Sequence, residues 1–504
     1  MLFNSYTFIA FFIIILILHH LPYFSWKAKK VNLLLASYIF YAAWNPPFIL
    51  LLWISTVIDF FVGKKLYYED VRWKRKALLW LSLLGNLGML AFFKYGGFLL
   101  ENFMLLVNAL GIEYHPAKPD IILPVGISFY TFQTLSYTLD MYKKKSKPET
   151  SLLDFSLFVT FLPQLVAGPI VRPGQLIPQF KTPHTANANK MTTGLFLLSL
   201  GLFMKVVLAD TMLASSADTV FGAKNTLLTL DAWMGVLAFS GQIFFDFAGY
   251  STCAIGIALS LGFTLPHNFL YPYAAIGFSD FWRRWHITLS SWLRDYLYIP
   301  LGGNRKGELR TYANLMATML LGGLWHGASW TFVVWGGLHG TYLCVERLLR
   351  PKQEPSDKAP AVQEIPVSPA AEPVPVVTTS ASFAPAFLRT RNMQKFMWAL
   401  LTFFLINITW VFFRAQDFDT AWRLLGSMFG MDKGGQAILP TLDLYRVGFI
   451  VTAMFLTHWF MRNTTVIDLA QKTKWWVISI AWAAMVIFLM LSQKSSDSFI
   501  YFQF

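Results

Sequence analysis

Long apolar segments recur along almost the whole chain and are separated by short loops that carry most of its cations. The first runs from Thr7 to about Phe24, and Lys27, Lys29 and Lys30 follow it directly. Uninterrupted apolar segments of about 18 or more residues are typical of transmembrane helices. We therefore predict an all-α, polytopic integral membrane protein with about 11 transmembrane helices.

The composition supports this class and argues against nucleic acid as a partner. Of 504 residues, 55% are hydrophobic and 13% are charged, whereas soluble domains carry roughly a quarter charged residues. The net charge of +14 lies mainly in short loops, as expected for the cytoplasmic loops of a protein in a lipid bilayer. Because no cation precedes the first apolar segment, we interpret it as an uncleaved span. The charge pattern places both termini outside.

Several apolar segments are interrupted by Gly or Pro, which membrane helices tolerate where neighbours or a cavity satisfy the backbone. One break is expected at Asn45-Pro46-Pro47, and two separate segments are expected near 77–93 and 97–111. Such breaks indicate a central cavity, surrounded by spanning helices and by short re-entrant or interfacial helices. Further apolar segments lie near 121–139, 152–170, 194–213, 229–262, 396–413, 446–461 and 475–492.

Changes in composition divide the chain into four regions. Residues 1–350 are expected to form the membrane core. Residues 351–390 are a Pro-rich cytoplasmic loop, which is either a tolerated insertion or a regulatory or partner-binding segment. Residues 391–492 hold the C-terminal transmembrane helices, and residues 493–504 form an aromatic periplasmic tail.

Polar and ionisable residues crowd into residues 279–340. His286 lies among cations and tryptophans, and His326 follows 40 residues later inside a segment of membrane length. A histidine at membrane depth is costly to charge and is a functional candidate, and a neutral imidazole can act as a general base. The alternative is a core histidine that bonds a neighbouring helix. His339, 13 residues further on, falls on the opposite side of an unbroken helix and is interpreted as structural.

Residues 279–305 are too polar to span a membrane. We expect one or two short amphipathic helices that lie at the interface or re-enter the protein. Within them, Arg283 and Arg284 either anchor anionic lipid or bind the phosphates of a coenzyme A thioester. Asp246 lies in an apolar segment, where it either orients a catalytic histidine or pairs with a structural cation.

Three motifs resemble, in this order, those of the membrane-bound O-acyltransferase family: Trp-Arg-Arg-Trp-His at 282–286, Leu-Gly-Gly-Asn-Arg at 301–305 and Gly-Gly-Leu-Trp-His-Gly at 322–327. The similarity is to the bacterial branch that acetylates alginate and peptidoglycan. It implies the fold of that family, with His326 as the catalytic histidine and His286 as its partner. Weaker matches at 124–130, 167–173, 245–251 and 410–415 extend it over nearly the whole chain. The candidates for substrate binding are Trp325, Arg283, Arg284, Trp285, Asp246 and Asn304.

The resemblance also implies a reaction. Acetyl groups would pass from a cytoplasmic thioester, expected to be acetyl-CoA, across the bacterial inner membrane to a periplasmic esterase-like acetyltransferase that modifies a polysaccharide. We expect no bound cofactor and no metal, because the sequence has neither a Gly-rich phosphate loop nor a Cys/His ligand cluster. A transporter or flippase for a glycan or lipid-linked precursor is the alternative, and transfer of D-alanine from a carrier protein is a third possibility.

The chain ends in Phe499-Ile500-Tyr501-Phe502-Gln503-Phe504. Aromatic residues at a membrane exit commonly form an interfacial belt. The segment also resembles the Phe-x-Tyr-x-x-Phe tail of the partner peptide in teichoic-acid D-alanylation, which implies that Tyr501 receives the acyl group. A phenol with a pKa near 10 needs a base for this step, and His326 is the expected base.

Overall fold

Helices account for most of the structure, a computed structural model that describes residues 3–117, 120–349, 390–431 and 434–492. Within these ranges there is no β-strand, only an isolated bridge between Leu227 and Gln436. The all-α prediction is therefore confirmed. The tail with Tyr501, and all of the Pro-rich loop except its last residue, lie outside the described residues, so what was predicted for them stays a prediction.

Nineteen α-helices follow one another in the described residues. They are α1 (Tyr6–His20), α2 (Trp26–Ala42), α3 (Ile49–Tyr68), α4 (Arg72–Ala109), α5 (Ile127–Tyr142), α6 (Leu152–Thr160), α7 (Pro173–Lys181), α8 (Ala188–Leu202), α9 (Ser215–Gly222), α10 (Thr229–Ser260), α11 (Phe278–Arg284), α12 (Ile287–Leu293), α13 (Glu308–His326), α14 (Trp330–Leu349), α15 (Thr390–Arg414), α16 (Phe418–Met428), α17 (Thr441–Phe460), α18 (Val466–Lys472) and α19 (Trp475–Leu491). Wider π-helical turns at Phe203–Ala214 and Arg294–Tyr298 extend α8 and α12.

Five helical segments of the described chain are long and apolar enough to cross a membrane, and two shorter apolar helices, α1 and α19, accompany them. The five are Pro46–Tyr68, Arg72–Ala109, Ala188–Gly222, Thr229–Ser260 and Asn392–Arg414. The protein is therefore a multi-pass helical membrane protein. Of these five segments, Thr229–Ser260 is the most deeply buried. Within it, 83% of an apolar stretch of 18 residues lies inside the structure.

The break predicted at Asn45-Pro46-Pro47 is present, because α2 ends at Ala42 and a short 3-10 turn precedes α3. The division predicted between 77–93 and 97–111 is wrong. A single helix of 38 residues, α4, covers both segments. Glycine is tolerated inside membrane helices, and the one lysine at the junction, Lys94, is satisfied by bonds to another helix, so nothing there interrupts the backbone.

Helices α13 and α14 form an antiparallel hairpin whose turn follows His326. Two glycines let them approach closely. A Cβ atom on Gly323 would lie 2.3 Å from the carbonyl oxygen of Phe332, and one on Gly336 would lie 2.3 Å from that of Met319. The hairpin is thus packed backbone to backbone, and His326 is the last residue of its first helix.

Candidate active site

Two short helices carry the polar stretch, as the sequence predicted: α11 and α12, neither long enough to span a membrane. His286 lies between them with φ 43° and ψ 53°. A left-handed backbone is costly for a residue with a side chain and is often found at functional sites. The side chain of His286 is fully buried.

The structure brings His286 and His326 together, with ring centroids 6.4 Å apart. His286 Nδ1 lies 3.2 Å from the Oδ1 atom of Asn268, which also accepts a hydrogen bond from the Thr288 hydroxyl at 2.9 Å. Because Asn268 Oδ1 can only accept, His286 Nδ1 must carry a proton. In the neutral ring, Nε2 is then an acceptor, and it has no hydrogen-bond partner among the described residues.

Aromatic rings surround His326, which is 3% exposed. The rings of Trp325 and Trp335 have centroids 5.0 Å from that of His326, and the ring of Phe413 lies at 5.4 Å. Burying a charge in such surroundings is costly. The apolar environment therefore favours the neutral imidazole that general-base chemistry requires.

A cavity of about 920 Å³ runs along α13. Its lining extends from Glu308, the first residue of α13, to His326, the last, a distance of roughly 27 Å at 1.5 Å per residue. Three arginines, Arg283, Arg294 and Arg347, also line it. It thus combines cationic side chains with a buried imidazole in one continuous space.

A second cavity, of about 250 Å³, reaches His326 from another side. Trp325, Lys94 and residues 123–129 line it together with His326. His326 is the one residue that lines both this cavity and the larger one. His326 therefore lies where the two spaces approach each other.

Two of the predicted substrate-binding residues, Arg283 and Asn304, line the larger cavity. The guanidinium of Arg283 belongs to an exposed side chain. The Oδ1 atom of Asn304 accepts a hydrogen bond from the Tyr298 hydroxyl, which lines the same cavity. Trp325, a third predicted residue, lies beside His326 and lines the smaller cavity instead.

Arg284 and Trp285 do not line either of these cavities. Arg284 forms an ion pair with Asp280 at 3.0 Å and donates to the backbone oxygen of Arg462 at 2.9 Å. Trp285 is fully buried, with Phe281 at 5.6 Å and Trp410 at 5.1 Å between ring centroids. Both side chains hold α11 and α12 against the bundle.

Asp246 forms an ion pair with Lys205 at 2.5 Å, and Lys205 also pairs with Asp210 at 2.8 Å. Of the two alternatives for Asp246, the structure thus contains the ion pair with a structural cation. Lys205 and Asp210 lie in the π-helical segment Phe203–Ala214.

His339 does not lie on the opposite side from His326, contrary to the sequence prediction. That prediction assumed an unbroken helix, but α13 ends at His326 and the chain reverses before α14. The ring of Trp335 lies between the two histidines, 5.0 Å from His326 and 4.8 Å from His339. His339 Nε2 is within 3.1 Å of the Thr409 hydroxyl, which is consistent with a structural role.

Sequence reasoning missed Lys94, Arg294 and Arg347 as residues of these cavities. Lys94 could have been found, because a lysine in the middle of an apolar segment is a functional candidate in its own right. In the described part of the chain, no group of three or more His, Cys, Asp or Glu side chains is arranged to hold a metal ion.

Comparisons with known proteins show which family the chain is similar to. The model of the membrane-bound O-acyltransferase family matches residues 143–372, which include both histidines. The chain is 39% identical over 434 residues to the "Probable alginate O-acetylase AlgI" of Azotobacter vinelandii, covering 85% of this chain and 78% of that protein. It is 40% identical over 429 residues to the "Peptidoglycan O-acetyltransferase" of Helicobacter pylori, covering 80% and 74%. The "Teichoic acid D-alanyltransferase" of Streptococcus thermophilus is 27% identical over 263 residues, covering 49% and 63%.

Proposed function

This chain belongs to the membrane-bound O-acyltransferase family, and from that premise we propose that it moves acetyl groups from cytoplasmic acetyl-CoA across the inner membrane for O-acetylation of a cell-envelope polysaccharide. The acceptor is peptidoglycan or an exopolysaccharide such as alginate, the substrates that two of its relatives are named for. The observation that carries the proposal is that His326 lines both cavities.

In this mechanism, the acetyl thioester reaches His326 through the larger cavity and the accepting hydroxyl reaches it through the smaller one. His326 takes the proton of the hydroxyl as its oxygen attacks the thioester carbonyl carbon. The C–O bond forms, the C–S bond breaks, and the departing thiolate receives the proton from His326. The products are the acetyl ester and coenzyme A, and no further reactant is needed.

His286 has a positioning role in this scheme. With Nδ1 donating to Asn268, a neutral His286 offers Nε2 as an acceptor and has no second N–H for an oxyanion. For His286, positioning of the reacting groups is therefore better supported than stabilisation of the oxyanion. The ring centroids of the two histidines lie 6.4 Å apart, so one reacting hydroxyl could contact both rings.

The three arginines support coenzyme A as the carrier of the acetyl group. Guanidinium groups bind phosphates through paired, charge-assisted hydrogen bonds, and Arg283, Arg294 and Arg347 line the cavity that ends at His326. Arg347 lies in the last turn of α14, and Arg305 and Lys306 precede α13. By the positive-inside rule, these cations support a cytoplasmic mouth for the larger cavity.

The remaining parts of the proposal concern the outer side of the membrane. A periplasmic esterase-like acetyltransferase, or Tyr501 of the chain's own tail, would receive the acetyl group before it reaches the polymer. We also propose about 11 spans, counting shorter helices than the five segments of full length, with both termini in the periplasm.

Substitution of the central histidine tests the proposal. His326→Ala should lower polysaccharide acetylation by roughly 10²- to 10⁴-fold, the usual contribution of a general base. The matched control is His19→Ala, since His19 is also buried but lines neither of these two cavities. Full acetylation by membrane-inserted His326→Ala would refute the proposal. A transporter, unlike an acyltransferase, would release no coenzyme A from acetyl-CoA in the purified state.

A further inference from the structure

The C-terminal end of α13 is held by two consecutive residues of α4. The Lys94 ammonium donates to the backbone oxygens of Trp325 at 2.7 Å and His326 at 3.0 Å. The Tyr95 hydroxyl donates to the oxygen of Leu324 at 2.9 Å. Three successive carbonyl groups at the end of the helix that carries His326 are thus bonded from another helix.

The last carbonyls of any helix have no partner within it. Buried ones need a donor from elsewhere, and the negative end of the helix dipole favours a cation there. A lysine inside a membrane protein is expensive and is seldom present without a task. Lys94 lies 22 residues from the start of α4, far from that helix's own ends, so its charge serves α13 rather than α4.

We propose that Lys94 is a positioning residue for acyl transfer, which fixes the His326 imidazole between the two cavities by anchoring the carbonyl oxygens of Trp325 and His326. The proposal rests on the proposed function and deepens it, because it names a further residue on which the reaction depends. Lys94 lines the smaller cavity beside His326 but does not line the larger one. It therefore acts on the geometry of the base and not on binding of the donor.

Anchoring is needed because His326 is the terminal residue of α13, and Gly327 already has an extended backbone with φ −159°. Helix ends fray more readily than helix interiors. A catalytic group displaced by about 1 Å can lose roughly 10²-fold in rate. The contact with the Trp325 ring, whose centroid lies 5.7 Å from Lys94 Nζ, adds a second restraint on the same turn.

The test compares Lys94→Met with Lys76→Met in the full-length protein in membranes. Methionine nearly matches lysine in length but offers neither charge nor donor, and Lys76 is an exposed lysine on the same helix. For Lys94→Met we expect kcat for acetyl transfer to fall by about 10²-fold, with the Kd for coenzyme A changed by less than about twofold because the larger cavity is intact. Lys76→Met should match the unmodified protein in both measurements.

A merely structural role would lower the amount of folded protein and weaken coenzyme A binding together with kcat. That result, or an unchanged kcat in Lys94→Met, would overturn the inference. If Lys94→Met does not insert into the membrane, Lys94→Gln replaces it, because glutamine keeps a hydrogen-bond donor without the charge. Lys94→Gln should give an intermediate kcat with unchanged coenzyme A binding. An unchanged kcat in Lys94→Gln would also overturn the inference. His326→Ala, measured in parallel, separates the role of Lys94 from the proposed function. Activity in His326→Ala would refute the proposed function. An inactive His326→Ala beside a fully active Lys94→Met would refute only the role of Lys94.

Discussion

Asn268 determines which nitrogen of His286 carries the proton. Its Oδ1 atom is the common acceptor for His286 Nδ1 and the hydroxyl of Thr288, while its amide nitrogen donates to Ser251 at 3.3 Å. An imidazole partner of this kind fixes the tautomer and the ring orientation. Nothing in the sequence pairs residue 268 with residue 286, because the contact depends on how the loop before α11 folds back.

Replacing Asn268 should therefore disturb catalysis through His286. In Asn268→Leu, His286 Nδ1 and both the hydroxyl and the backbone N–H of Thr288 lose their acceptor. We expect acetyl transfer to fall by roughly 10- to 100-fold. Loss of the buried hydrogen bonds should also lower the free energy of unfolding by about 1–3 kcal/mol. The measurement is kcat for polymer acetylation by purified protein, together with thermal unfolding in detergent.

Ser251→Ala is the matched control for Asn268→Leu. It removes the partner of the Asn268 amide nitrogen but leaves the carbonyl oxygen facing His286, so catalysis should stay within about threefold of the unmodified protein while stability falls slightly. Equal losses of kcat in the two variants would show that packing around residue 268, and not the tautomer of His286, limits the reaction.

The arginines of the larger cavity should determine the affinity for the donor. Arg347→Gln should weaken acetyl-CoA binding by about 10-fold or more, because a hydrogen bond to a charged group contributes about 1.5–3 kcal/mol. The kcat at saturating acetyl-CoA should be unchanged. Arg305→Gln is the control, because Arg305 is exposed nearby and does not line the cavity. Equal Kd values for acetyl-CoA in the two variants would remove Arg347 from the donor site.

At the scale of the elements, the sequence predicts local features well and long-range ones poorly. The proline pair after Asn45 and the polar stretch at 279–305 have strong local signals, and the break and the two short helices are where they were expected. The continuity of α4 through Lys94 is different. A lysine in an apolar segment normally indicates a boundary, and only the carbonyls of α13, more than 200 residues away, satisfy this one.

The hairpin of α13 and α14 depends on missing side chains. A Cβ atom at Gly336 would lie 2.3 Å from the backbone oxygen of Met319, whereas one at the adjacent Gly337 would first meet the Cδ2 atom of Leu320 at 3.5 Å, an ordinary contact. Gly336→Ala should therefore push the helices apart, lower the free energy of unfolding by about 1–3 kcal/mol and reduce acetyl transfer, because His326 ends one of the two helices.

Gly337→Ala tests whether that effect comes from the contact or from the change of residue. It makes the same substitution one position away without a clash, so both stability and activity should be close to those of the unmodified protein. Thermal unfolding and acetyl transfer, measured for the two variants side by side, decide the matter. A loss in Gly337→Ala as large as that in Gly336→Ala would contradict close backbone packing as the cause.

At the scale of the whole molecule, the sequence predicts a central cavity but does not predict that two separate cavities meet at His326. Gly and Pro breaks indicate that some backbone lines a space, and the paired histidines indicate where the chemistry lies. His326 borders two spaces because several elements pack around it. These elements are α4, the residues before α5, the short helices α11 and α12, and the α13–α14 hairpin, and they lie far apart in the chain. Such an arrangement is set by tertiary packing and leaves no periodic pattern in any one segment.

The two cavities should open on opposite faces of the membrane. Helix α4 begins in a basic cluster at 72–76, which the positive-inside rule places in the cytoplasm, and its 38 residues extend over roughly 57 Å, more than the thickness of a bilayer core. Its far end and the segment that leads to the smaller cavity should therefore lie on the opposite, outer side. Arg305, in the loop before α13, should lie on the cytoplasmic side with the mouth of the larger cavity.

Single cysteines test this orientation in a chain in which Cys253 and Cys344 are replaced by alanine. Glu113, beyond the end of α4, and Arg305 are both exposed positions. A membrane-impermeant thiol reagent added to intact spheroplasts should label Glu113→Cys. It should label Arg305→Cys only after the membrane is opened. An acetyl donor confined to the cytoplasm can reach His326 only if the larger cavity opens there. Labelling of Arg305→Cys in intact spheroplasts would place that mouth outside, and transfer from cytoplasmic coenzyme A through it would then be impossible.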